Sequence, residues 1–179
     1  ARVYNLGNLH DANGATLPAY NTYAIVNNTL TVASAFSPNP AAAVADNIVH
    51  MRAQYGVDDG VDDGSVAYNA AYAPGDLRVD RFVTGTPDWR YVIAVRFAVV
   101  ARSALAERPL GRDRSRCDAT TDGTEVTPGP DLRPKWSGGT FDLSASGDPD
   151  PASPLYWKCY RYRVFETTIP LRNWIWKSS

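Results

Sequence analysis

Two stretches of the chain alternate residues with a period of two, the spacing of a β-strand. Across residues 91–102, Tyr91, Ile93, Val95, Phe97 and Val99 fall on one bulky face, and Val92, Ala94, Arg96, Ala98, Val100 and Arg102 on a smaller, partly charged one. This predicts a long central strand packed through its bulky face. A second strand is predicted over residues 160–171, where the apolar set moves from Tyr160, Tyr162 and Val164 to Phe165, Ile169 and Leu171, as across a bulge near Val164. The large apolar Val164, Phe165 and Ile169, with β-branched Thr167 and Thr168 between them, predict that it is buried. Earlier, two short apolar runs flank Asn27-Asn28, and asparagine tolerates the left-handed backbone of tight turns, so residues 23–33 read as a β-hairpin.

A helix is expected over residues 41–55. Asn39 stands as cap, Pro40 at the first helical position and Gly56 just past the end, while Val44, Ile48, Met51 and Tyr55 recur at helical spacing. Residues 102–157 show no sustained period and carry Pro109, Pro128, Pro130, Pro134, Pro149, Pro151 and Pro154, which predicts an excursion with short strands at most. The sum is an α+β chain: a β-rich antiparallel sheet with one short amphipathic helix, in a single domain over residues 1–179.

Composition agrees with many turns and few helices. There are 13 glycines, 13 prolines and ten tyrosines against one methionine. Eighteen basic residues nearly cancel 19 acidic ones, so there is no field of one sign to draw in nucleic acid or an anionic membrane, and nucleic acid is not an expected partner. No apolar run approaches the roughly 20 residues that span a bilayer. The N-terminal Ala-Arg-Val-Tyr reads as a processed or truncated start, with a leader or anchor expected upstream.

The groups that could carry catalysis are few. His10 stands near the terminus, and His50 follows Asp46 by four residues on the expected helix, where a surface pair is the favoured reading. No nucleophile motif surrounds it, and no cysteine or histidine spacing suits zinc. No enzyme activity and no cofactor are expected. Asp58, Asp59, Asp62 and Asp63 on a glycine-bearing turn are a candidate for calcium, although Gly60, Asp63 and Asn69 depart from the EF-hand pattern at positions 3, 6 and 12; a solvated turn is the favoured reading. Arg112, Arg114 and Arg116 read as a salt-bridged loop, with phosphate contact as the alternative. Cys117 and Cys159 bracket a segment rich in Gly, Pro, Asp and Ser, and their oxidation to a disulfide is favoured over two free thiols. Closing that loop contributes on the order of 4 kcal/mol in the loop-entropy model.

Three segments go further. The run from Asn47 to Asp58, NIVHMRAQYGVD, and the later DWRYVIAVRFAVVARS from Asp88 to Ser103 resemble the core of PilW-type minor pilins, and YRVFETTIPLRN from Tyr162 to Asn173 resembles the closing strand of that family. The resemblance implies a pilin-like fold in which a long N-terminal helix, absent here, packs on an antiparallel sheet. It also implies a non-catalytic subunit that joins other minor pilins in an initiation or tip complex of type IV pili, with roles in assembly, adhesion or motility. Such a protein is anchored in the inner membrane facing the periplasm before assembly and is extracellular in the pilus. A secreted surface-binding module for DNA or glycan is the alternative, through the arginine loop or exposed aromatics.

Overall fold

The computed structural model describes residues 3–5, 8–10, 16–18, 20–37, 39–59, 78–109, 117–123 and 130–171. The chain divides into two compact units. The first comprises Ala1–Met51, Val99–Lys135 and Gly139–Val164; the second comprises Arg52–Ala98, Trp136–Gly138 and Phe165–Ser179.

In the first unit, β1 (Val3–Asn5), β4 (Asn21–Val26), β5 (Thr29–Ser34) and β6 (Ala42–Asp46) form an antiparallel sheet in that order, and β2 (Asn8–His10) pairs with β3 (Thr16–Pro18). The expected hairpin is β4–β5. Asn27 and Asn28 take φ of 49° and 60°, both left-handed, and the strands stay in register from Val26↔Thr29 to Asn21↔Ser34. Tyr23 faces Val32 and Ile25 faces Leu30, which gives one side of the hairpin its apolar character.

The expected helix over residues 41–55 is not formed, and the fold is β-rich instead of α+β. Among the described residues the helical segments are two three-residue 3₁₀ turns, Trp89–Tyr91 and Trp157–Cys159. Residues 42–46 are strand β6, in register with β5 at Val32↔Ala42 and Thr29↔Asp46. Asn47 then takes a φ of 59° and β7 (Ile48–Val57) begins, its Ile48 N–H donating to Asn28 C=O. The left-handed Asn47 breaks any helix there, and pairing with β5 supplies the backbone hydrogen bonds that a helix would have made internally. The residues taken as one apolar face part company accordingly: Ile48 and Met51 are buried, Tyr55 is half-buried and Val44 is exposed. Gly56, expected as a helix terminator, lies in a strand where a Cβ would stand 3.0 Å from Ala94 Cβ and from Val79 Cγ1.

A second sheet has the order β12 (Tyr162–Pro170), β9 (Val92–Arg102), β7, β8 (Arg81–Val83). The predicted long strand is β9, but its small face is the better buried of the two. Val92, Ala94, Ala98 and Val100 on the small face are buried, whereas on the bulky face Ile93 is buried and Val95, Phe97 and Val99 are half-buried. Small side chains let neighbouring segments approach closely, and Arg96 is accommodated among them by lying over the Phe82 ring, its guanidinium carbon 3.4 Å from the centroid. At the edge of this sheet among the described residues, β12 is largely exposed, against the expectation of a buried strand. Phe165 and Ile169 are each 52% exposed.

The excursion holds two-residue strands, β10 (Lys135–Trp136) and β11 (Gly139–Thr140), and little other regular structure among its described residues. The first unit nevertheless has an interior, with Phe141, Leu143, Met51 and Val100 at or near zero exposure.

Candidate functional site

In the second unit, β7 ends at Val57, and Asp58 and Asp59 follow it opposite Asp80, which precedes β8. Asp58 N–H donates to Tyr91 C=O, Asp80 N–H to Val57 C=O, and Asp59 N–H to the Asp80 carboxylate at 2.7 Å. Carboxylate oxygens of Asp58, Asp59 and Asp80 lie within 4.8 Å of one another, Asp58 buried and the other two exposed. The structure thus brings together two of the four predicted acidic residues. Asp62 and Asp63 lie outside the described residues. Asp80 was missed by sequence reasoning because it stands outside the acidic run and reaches it only through β7–β8 pairing. Three carboxylates are a start on the roughly six to eight oxygens that calcium takes, and no more than that.

Beside these groups opens a cleft of about 390 Å³ lined by Asp58, Asp59, Arg81, Thr84, Thr86 and Tyr91, with Val57, Val83, Pro87 and Asp88 completing its wall. Asp88 caps the 3₁₀ turn through Arg90 N–H and also accepts from the Arg90 guanidinium, Nη2 to Oδ2 at 2.6 Å. That side-chain bond, followed by the backbone bond, holds the Asp88 carboxyl below the usual aspartate range.

In the first unit, Cys117 and Cys159 form the expected disulfide, with Cα atoms 4.7 Å apart. It is buried beside Tyr160, with Ala106, Tyr156 and Tyr162 packed against the cluster. Two side chains brought inside bond to the backbone: Thr120 Oγ1 donates to Tyr160 C=O at 2.7 Å, and Arg102 Nη1 to Ser146 C=O at 2.7 Å. The Tyr162 hydroxyl donates to Trp157 C=O at 2.8 Å and meets Ser146 Oγ at 3.0 Å. Burial pushes that hydroxyl above the usual tyrosine range, and the Ser146 bond opposes the shift. Lys158 and Asp122 pair at 2.9 Å, both largely shielded from solvent.

The remaining candidates disperse. The His50 ring lies against Phe141, centroids 5.1 Å apart, while Asp46 accepts from Thr29 Oγ1, so the expected helical His50–Asp46 pair has no helix to form on. Arg112, Arg114 and Arg116 lie outside the described residues. No helix among the described residues is long and apolar enough to cross a membrane. None of the curated proteins and none of the solved structures compared with the chain matches it. The family model described as type IV pilus-assembly protein W, PilW, matches residues 12–173, which is most of the chain, and the protein belongs to that family.

Proposed function

We propose that this protein is a non-catalytic minor pilin that joins other minor pilins in the initiation or tip complex of a type IV pilus, and thereby supports adhesion and motility. The observation that carries this reading is the family match over residues 12–173. Residues 1–179 act as one extracytoplasmic domain in this proposal. The full-length form is held in the inner membrane before assembly and becomes extracellular in the pilus. A buried disulfide suits an exported protein, because thiol pairs persist oxidised outside the cytoplasm. The exposed edge strand β12 suits a subunit that must meet neighbours, since a strand edge is a ready template for contact. The test is a strain lacking the full-length protein, examined for surface pili and twitching, with complementation. Loss of pili restored by the full-length chain is expected. Wild-type pilus numbers in the deletion strain would sink the proposal.

A further inference from the structure

The hydrogen bonds at the two ends of β12 fix which of its backbone groups are committed. Leu171 N–H donates to Ile93 C=O at 2.8 Å, and Ser103 N–H donates to Arg161 C=O at 2.8 Å. Both bonds share one register offset, and higher numbers on β12 meet lower ones on β9, so the two strands run antiparallel with no net bulge. The odd-numbered residues of β12 therefore turn their N–H and C=O groups toward β9. Tyr162, Val164, Glu166 and Thr168 turn theirs the other way, where no strand among the described residues pairs with them. Two features agree. Pro170, which has no N–H, falls in the outward set, where proline costs the sheet no ladder bond. Glu166 is an exposed residue although its side chain, beside Arg96, is only 26% exposed, so it is the main chain that meets solvent.

An open edge of this kind takes up another strand, and the side chains along it select which. The strand suits a second copy of itself, set antiparallel about a two-fold axis at Phe165. Tyr162 then lies opposite Thr168 of the second copy and Val164 opposite Glu166 of the second copy. Every outward N–H and C=O from residue 162 to 168 finds a partner, about eight hydrogen bonds in all, and Pro170 stays outside the paired stretch. Phe165, 52% exposed, meets its own copy at a non-hydrogen-bonded position, where cross-strand side chains approach most closely and aromatic pairs are favourable. No like charges face each other. Arg163 lies opposite Thr167 of the second copy, and the Glu166 carboxylate is offset within its own chain by Arg96 at 3.7 Å. Sliding the copy one step to centre on Glu166 opposes two carboxylates and draws Pro170 into the ladder, while centring on Val164 shortens the paired stretch to residues 162–166. We propose that β12 pairs antiparallel with β12 of a second copy of this chain, about a two-fold axis at Phe165. This rests on the reading of β12 as a contact strand and names its occupant.

The test is sedimentation equilibrium of the 179-residue chain from about 5 µM to about 1 mM, with a thermal melt of each variant. The parent is expected to dimerise with a Kd of about 100 µM or tighter. Phe165→Lys and Phe165→Glu each set like charges across the axis, so each should weaken the dimer about tenfold or more while melting within a few degrees of the parent. An equimolar mixture of the two variants brings opposite charges to the same point and should restore association, a rescue that requires residue 165 to meet its own copy. Thr168→Pro removes an outward N–H and no bond to β9, and should weaken the dimer about tenfold with little change in melting. Three results overturn the proposal: a chain still monomeric at about 1 mM, a Phe165→Lys variant that dimerises like the parent, or a mixture no more associated than its components. A monomeric chain whose pilus assembly nevertheless fails when Phe165 and Ile169 are both changed to Ser would remove the second copy as occupant and leave β12 a contact strand for a different subunit.

Discussion

Phe141 and Phe165 are the same residue in opposite circumstances, 0% and 52% exposed. Truncating Phe141 to Ala removes a fully buried ring and leaves a cavity, so a loss of about 3–5 kcal/mol is expected. Phe165→Ala leaves no such cavity and should cost about 1 kcal/mol or less, a melting shift of a few degrees at most. Denaturant titrations of the two variants give the comparison, and equal losses would show that Phe165 is held as firmly as a core residue. Gly56 yields a third measurement. An added Cβ 3.0 Å from Ala94 Cβ and Val79 Cγ1 crowds those side chains, which must give by a few tenths of an ångström, so Gly56→Ala should destabilise by about 1–3 kcal/mol despite the gain in strand propensity. Parental stability in Gly56→Ala would mean that β7 and its neighbours yield freely. These contrasts were only partly legible beforehand. The sequence marks Phe165 as large and apolar but says nothing of which strand ends a sheet, and it reads Gly56 as a stop signal because close backbone approach leaves no local pattern.

Among the elements, the hairpin was legible because its determinant is local: Asn27 and Asn28 supply the two left-handed residues whatever surrounds them. The segment 41–55 was misread because Ala-rich composition and a spacing of three and four describe a free helix equally well, while pairing with β5 is a tertiary fact. Irregular structure in the excursion was also legible, and what holds it is a set of short-range bonds. Asp131, Asp142 and Asp148 each accept the backbone N–H two residues ahead, from Arg133, Ser144 and Asp150. Their carboxyls lie below the usual aspartate range, Asp131 first through the Arg133 side chain, Asp142 through Ser144 N–H and Asp148 through Asp150 N–H. A depressed folded pKa contributes stability that is present above the ordinary aspartate value near 3.8 and lost as pH falls through the folded one. Melting temperature should therefore be level above pH 5 and decline below about pH 4. Asp142→Asn should flatten part of that decline, and an unchanged acid limb in that variant would count against the turn bonds. The disulfide acts over a longer range. Cys117→Ser with Cys159→Ser removes the covalent closure and should destabilise by about 2–5 kcal/mol, read in a denaturant titration beside the oxidised parent. Parental stability in the double variant would mean that the Tyr160 cluster closes the excursion without the bond.

On the scale of the whole molecule, membership in a pilus-assembly family requires surfaces that survive folding uncovered, and the two exposed residues of β12 fit that requirement. Phe165 and Ile169 are four apart on a strand, so they share a face, and β12 ends the sheet order in which it lies. Large apolar side chains on an edge strand are an aggregation hazard in a protein with no neighbours, and a contact surface in one that has them. Under the proposed function this exposed strand is read as a docking surface in place of core. Replacing Phe165 and Ile169 together by Ser should leave the isolated chain folded, with a loss of about 2 kcal/mol or less, since neither ring nor branch fills the interior. In cells the same double variant of the full-length protein should lower surface pili by an order of magnitude or more, because a few central side chains carry most of an interface's binding free energy. Leu105→Ser is the control: Leu105 is 82% exposed but lies outside the strands, and it should change neither melting nor piliation. A thermal melt, a western blot for accumulation and a pilus count on each variant decide the matter. Normal pilus numbers in the double variant, with the protein present at the parental level, would mean that assembly uses another face. Failure of the double variant to fold would return β12 to the core that its sequence pattern suggests.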